Sequence, residues 1–361
     1  MLSISLVTLG DPGQLTGGYL YHRRMADAAA DHDAAVRFVS FPAMPFPTPL
    51  MAGARVLGEA AAGADVVVVD SIAAALAGPW VAAGRCLRRL PVVALVHQPP
   101  GGIDHGPARA RAQAVLDRML YRRAGLIIAA SDALAAAYGA EGFPAGRIAV
   151  VPPGRDVAGA VPRAADDEAE DLRAGRRAAL LCVGNWVERK GILPLLDAAA
   201  ALPAGAATLH LVGRDDVDRA YAARVRERLR QPDLAGRVTV HGPVSRERVA
   251  ALYAAAEVFV LPSTREPYGT VYGEAMAAGL PVVGWRSGNL PHLAADGVEG
   301  LMADPGDVGA LAGALRRLVD DEPYRRRLAG AARARARSFP TWAESAARLF
   351  TLLRRAAGAP R

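Results

Sequence analysis

Pro262-Ser-Thr-Arg-Glu-Pro-Tyr-Gly-Thr-Val-Tyr-Gly-Glu-Ala-Met-Ala-Ala-Gly-Leu-Pro-Val-Val283 decides the fold. An apolar run, 258–261, leads into it and reads as a strand. A polar loop follows, then Gly269 and Thr270 open a helix that ends near Gly279, and a second apolar run starts at Pro281. Strand, loop, helix and strand in that order is the repeating unit of a parallel sheet covered by helices. The first amides of a helix have no intrahelical acceptor, so Gly269, Thr270 and Val271 form a candidate anion site. Glycine at 269 lets the backbone approach a ligand closely.

The same alternation runs outward through the chain. Strands are expected at 4–9, 36–41, 66–69, 92–96, 126–129 and 148–151, then at 179–184, 208–212, 238–241, 258–261 and 281–284. Nearly continuous apolar strands between alanine-rich helical segments indicate parallel sheets buried on both faces. The expected class is α/β, with two Rossmann-like domains facing each other across a cleft. Residues 1–156 form the first and 179–337 the second; 157–178 read as a linker, and 338–361 as a helix that packs back on the first.

The totals agree with two domains. The chain has 361 residues, of which 52% are hydrophobic, enough for two cores. Net charge is +7, which suits an anionic small molecule, a lipid headgroup or nucleic acid. No zinc-finger, RRM or basic-zipper pattern supports the last, so no nucleic-acid partner is expected. Cys86 and Cys182 read as reduced core thiols of a cytoplasmic protein. The start runs straight into a strand, without a signal peptide's basic region. No apolar stretch is long enough to span a bilayer, which leaves peripheral contact at the inner membrane face as the only membrane role considered.

Three further segments lie where strands end. Val183-Gly-Asn-Trp-Val-Glu-Arg-Lys-Gly191 places Lys190 at a helix start as a point charge for phosphate. Thr16-Gly-Gly-Tyr19 offers paired glycines, Gly17 and Gly18, after the first strand. His97 ends a strand before Gln98-Pro-Pro-Gly-Gly102, with His105 a weaker neighbour; His22 reads as an ordinary core residue. No Gly-x-Gly-x-x-Gly is present, which argues against a nicotinamide dehydrogenase. Asp216-Val-Asp218 opens a helix and reads as capping, and no histidine, cysteine or carboxylate group has metal-ligand spacing, so no metal or other cofactor is expected.

Glu266 and Glu274, seven residues apart by intervening count, resemble the Glu-x7-Glu signature of retaining GT-B glycosyltransferases, glycosyltransferase family 4. The flanking Pro-Ser-x-x-Glu-Pro-x-Gly and Glu-Ala-Met-Ala-x-Gly-x-Pro-Val-Val match as well. The resemblance implies a nucleotide-diphosphate sugar donor, UDP- or GDP-linked, and a small-molecule or lipid-linked hydroxyl acceptor. Glu266 would position the sugar, Glu274 the ribose, Lys190 the diphosphate, and His97 the transferred sugar; Gly17 and Gly18 would close over the donor. The loop at Val244 would lie beside the base. Where the family's phosphate loop carries arginine this chain has Asn185, with Arg189 the substitute cation. The resemblance implies retention at the anomeric carbon by same-face attack. A nucleotide-sugar epimerase of the same fold and a non-catalytic glycosyltransferase-like subunit are the alternatives.

Overall fold

The computed structural model describes residues 1–13, 17–84, 87, 90–103, 105–155 and 166–358. Cys86 and Thr16 lie outside them. The chain forms two units, Met1–Asp156 with Pro340–Arg361, and Val157–Phe339.

In the first unit, β1 (Leu2–Leu9), β2 (Ala34–Phe41), β3 (Val66–Asp70), β4 (Val92–Val96), β5 (Leu126–Ala129) and β6 (Ile148–Val150) form one six-stranded sheet, ordered β2-β1-β3-β4-β5-β6. Every pairing is parallel. The strand Val-Val-Val-Val-Asp shows why it must be central. Val67 and Val69 enter one buried cluster, Val66 and Val68 the other. A strand with both faces covered has no position left for a solvated residue. The helix Trp342–Gly358 lies on one face, adding Ala346, Leu349, Phe350 and Leu353 to that face's core. Its entry is anchored where Arg155 N–H donates to the carbonyl of Pro340, 2.8 Å away. Gly154 is needed there, because a Cβ would stand 2.2 Å from the backbone nitrogen of Trp342.

In the second unit, β7 (Ala178–Val183), β8 (Ala207–Val212), β9 (Val238–Gly242), β10 (Val258–Val260), β11 (Val282–Trp285) and β12 (Gly300–Ala303) form a second six-stranded sheet, ordered β12-β11-β10-β7-β8-β9. Its pairings are parallel throughout. Cys182 is buried there, and burial pushes its thiol up to about 12, as suits an inert core residue. Strand β12 was not expected from sequence. It is four residues long and opens on a glycine, which is required because a Cβ would meet the Val282 carbonyl oxygen at 1.9 Å.

One stretch differs from the sequence reading. The expected linker contains a helix, Asp166–Arg173, tied to the second unit: Thr208 Oγ1 donates to the Leu172 carbonyl at 2.7 Å, and Arg173 pairs with Glu257 at 2.7 Å. Residues 156–165 lie outside the described ones. The arginines of the helix Glu322–Arg337 are partly structural. Arg325 is buried and donates to the Leu318 carbonyl, Arg333 to Ala278 and Arg335 to Leu293. Carbonyls near helix ends lack intrahelical donors, and guanidinium groups satisfy them.

Candidate active site

In a doubly wound sheet, ligands bind beyond the carboxyl ends of the strands where the strand order reverses. In the second unit that point lies between β7 and β10. The loops after these two strands are the segments containing Lys190 and Glu266. They are knitted together: the Arg189 carbonyl accepts from Thr264 N–H at 2.8 Å and from Ser263 Oγ at 3.0 Å. Gly191, at φ 68°, closes the loop where a Cβ would strike the Pro262 carbonyl oxygen at 2.2 Å.

Lys190 Nζ donates to Glu266 Oε2, with both side chains almost nine-tenths buried. Arg189 stands at 3.8 Å from the same oxygen and donates to the Arg265 carbonyl at 3.2 Å. The two residues that sequence assigned to phosphate and to sugar are therefore one ion pair here. Beside it, the helix Thr270–Ala278 starts at Gly269, φ 81°, with no side-chain cap. The amides of Gly269, Thr270 and Val271 have no acceptor among the described residues. Free helix-start amides with an adjacent buried ammonium have the chemistry to accept an anion.

Glu274, one turn further on, is exposed and accepts from Tyr253 Oη at 3.2 Å, which fixes its direction. Val244 is half-buried and packs against the core, so its loop offers backbone. Asn185 Oδ1 accepts from the Arg214 N–H at 3.1 Å, which braces the β7 and β8 loops and leaves its amide NH2 as the group that could donate to a ligand. Asp218 caps the helix Arg219–Leu229 through Tyr221 N–H at 3.0 Å, and Asp216 pairs with Arg214, as the capping reading expects. Asn289 was missed by the sequence reading. It is buried, its side chain donates to the Tyr268 carbonyl at 2.8 Å, and its N–H donates to the Glu266 carbonyl at 3.0 Å. The only signal was a Ser-Gly-Asn turn at the end of β11.

The first unit reverses its strand order between β1 and β3. Gly18 and His97 meet there: a Cβ on Gly18 would stand 3.8 Å from the imidazole. His22, on the helix Gly17–Asp27, is fully buried with Nε2 at 3.2 Å from His97 Nε2 and 3.5 Å from Asp70 Oδ2. His22 is thus no ordinary core residue. Sequence spacing hid the group because its members come from a helix and two strands. Burial lowers both histidines to about 4 and raises Asp70. The ligand atoms of the three residues lie within 4.8 Å of one another, the grouping that sequence spacing did not reveal. A metal-bound imidazole donates its other N–H, however, and Nδ1 of His22 is buried without a partner. A hydrogen-bonded network fits better. The proton is then assigned to His22 Nε2, His97 Nε2 accepts it, and His97 Nδ1–H is left to donate outward.

Asp117 steadies the loop that follows His97 by accepting from Gly101 N–H at 2.7 Å. Burial raises its carboxyl to about 7 from an ordinary 3.8. The folded protein thus keeps a proton across pH 4–7 that the unfolded chain has released. The stabilisation is complete below the unfolded value and is lost as pH rises through 7. Asp117→Asn keeps a neutral group at every pH, so its melting temperature relative to wild type should rise between pH 5 and pH 8. About two pH units of the pH 4–7 range lie between pH 5 and pH 8, which corresponds to about 2.5–3 kcal/mol, or roughly 5–12 °C for a unit of this size. The neighbouring histidines titrate alike in both proteins and cancel in the difference. A pH-independent gap in paired thermal scans would contradict the assignment.

Two doubly wound parallel sheets define a protein with two Rossmann-like α/β domains. The chain matches the family model for glycosyl transferases group 1 over residues 165–335, and that for the glycosyl transferase 4-like domain over residues 3–154. It is 36% identical over 243 residues to the D-inositol 3-phosphate glycosyltransferase of Xylanimonas cellulosilytica, covering 62% of this chain and 57% of that one. It is 37% identical over 150 residues to the lipopolysaccharide core biosynthesis glycosyltransferase LpsE of Rhizobium meliloti, covering 42% of each. The chain thus matches about half the length of these relatives. Among solved structures it is similar to the sucrose-phosphate synthase of Thermosynechococcus elongatus (TM-score 0.82, 25% identity, 98% of this chain and 99% of that one). It shares its fold with Anabaena HepE in complex with UDP and glucose (TM-score 0.78, 22% identity, 98% of this chain and 100% of that one). The chain belongs to the group 1 glycosyltransferases of family 4. No helix among the described residues is long and apolar enough to cross a membrane.

Proposed function

We propose that the chain transfers a sugar from a nucleotide-diphosphate sugar to a hydroxyl acceptor, with retention at the anomeric carbon. The observation that carries this reading is the set of free amides at Gly269, Thr270 and Val271 beside the Lys190 ammonium, at the switch point of the second sheet. Breaking the sugar–phosphate bond puts charge on the departing diphosphate. Preorganised amides and a buried cation stabilise that charge as it develops. On donor binding, Lys190 turns from Glu266 to the diphosphate, and the freed Glu266 carboxylate accepts from sugar hydroxyls. Glu274 holds the ribose. The Nδ1–H of His97 donates to the transferred sugar. A diphosphate oxygen takes the acceptor proton on the face that the leaving group vacates, so no enzyme nucleophile and no metal ion are needed. A UDP-linked donor is favoured over GDP by the UDP and glucose in the HepE complex.

Incubation with UDP-sugars and a panel of hydroxyl acceptors, with and without EDTA, tests the reading. UDP release should require an acceptor, persist in EDTA, and yield a product with the donor's anomeric configuration by NMR. Inversion would overturn the mechanism. Turnover of donor to an epimer without acceptor would establish the epimerase alternative.

A further inference from the structure

The first unit contains a cavity of about 260 Å3 that the donor chemistry does not use. It opens at the carboxyl ends of the strands. Leu9 ends β1, Ile72 follows β3, and Gln98 follows β4 as the residue after His97. Its walls are mostly apolar, with Phe46, Leu76 and Ile103 joining Leu9 and Ile72. Polar groups are few and separately placed. Gln113 is 7% exposed, lines the cavity, and its side chain makes no hydrogen bond among the described residues. Arg109 lies at the exposed end, 5.9 Å over the Phe46 ring, and has no acidic partner among the described residues.

We propose that this cavity receives the apolar part of an anionic acceptor, a short alkyl chain or single ring bearing a phosphate or carboxylate that meets Arg109. The inference rests on the transferase reading and names its acceptor class. An apolar pocket with a small number of placed polar groups is the usual form of a small-molecule site, and this volume suits one ring or a short chain. A planar guanidinium held over an aromatic face keeps its fork free for an oxyanion. The unpartnered Gln113 amide offers the acceptor one directional contact inside. A polyol phosphate of the kind named for the Xylanimonas relative fits these walls poorly. Each ring hydroxyl buried without a partner weakens binding roughly tenfold.

Calorimetric titration of the full chain with inorganic phosphate, inositol 3-phosphate and n-alkyl phosphates from ethyl to hexyl tests this. Affinity should rise about threefold to fourfold per added methylene until the cavity is full. Ile72→Trp, which fills the cavity, should flatten the series. Arg109→Gln should weaken hexyl phosphate by about tenfold and remove its advantage over hexyl alcohol. Sedimentation with phosphatidic acid vesicles, sensitive to Arg109→Gln, would give the anion a lipid source, and binding of the monomeric phosphate alone a soluble one; both agree with the proposal. A flat series in wild type, or inositol 3-phosphate binding more tightly than hexyl phosphate, would overturn it, and the wild-type series decides even if Ile72→Trp does not fold. UDP titrated into the same sample reports on the donor site separately, so failure of this proposal is distinguishable from failure of the transferase reading.

Discussion

Lys190→Met should lower kcat by about 100- to 1000-fold, the effect of removing one group that stabilises developing charge. The same substitution should also destabilise the second unit. Glu266 would be left nearly nine-tenths buried, with Arg189 as its remaining cation at 3.8 Å. Breaking a buried pair costs about 3–5 kcal/mol, which for a unit of this size is roughly 6–20 °C in melting temperature. The two effects separate in a double variant. Lys190→Met with Glu266→Gln removes both charges and should recover most of the lost melting temperature, because no buried charge is left unpaired. It should not recover transfer. Lys190→Arg should stay slow as well, since a planar fork does not replace a compact ammonium on a stem that passes close to Gly184. Steady-state kinetics and thermal scans on the four proteins decide the matter. Recovery of kcat together with stability in the double variant would show that Lys190 only holds the loops together.

Glu274→Ala should weaken nucleotide binding about 10- to 100-fold, the value of one or two hydrogen bonds to a charged acceptor. Its effect on stability should be within about 0.5 kcal/mol, because the side chain is exposed. Glu266→Gln should divide differently. Lys190 would remain for the diphosphate, so nucleotide affinity should change little while transfer falls. Calorimetry with the nucleotide and turnover with the full donor give the two readouts. Equal losses of binding in both variants would mean that the two carboxylates do not divide sugar from ribose.

The parallel strands were legible because each is a run of apolar residues with no alternation, a pattern that only a sheet covered on both faces accommodates. The helix Thr270–Ala278 was legible to the residue because glycine stands at each end in a left-handed conformation, Gly269 and Gly279. What escaped was set by distance in the chain. His22 carries no local mark, and its role appears only when β3 and β4 bring Asp70 and His97 to it. Strand β12 escaped because four residues opening on glycine have almost no pattern. Asn185 stands where the family has arginine, and what its sequence position did not show is the Oδ1 contact to the Arg214 N–H that holds it. The arginines of the helix Glu322–Arg337 cap carbonyls of neighbouring helix ends. A basic helix face and a row of carbonyl caps have the same composition, and only the position of neighbouring helix ends tells them apart.

The central claim is that the second unit holds a nucleoside diphosphate at the helix start beside Lys190, without a metal. Calorimetric titration of the metal-free protein with UDP, GDP and ADP tests it most directly. The expected result is selective binding of UDP, weakened about 10- to 100-fold in Glu274→Ala and indifferent to added EDTA. Binding of none of the three, or binding that appears only with a divalent cation, would contradict it.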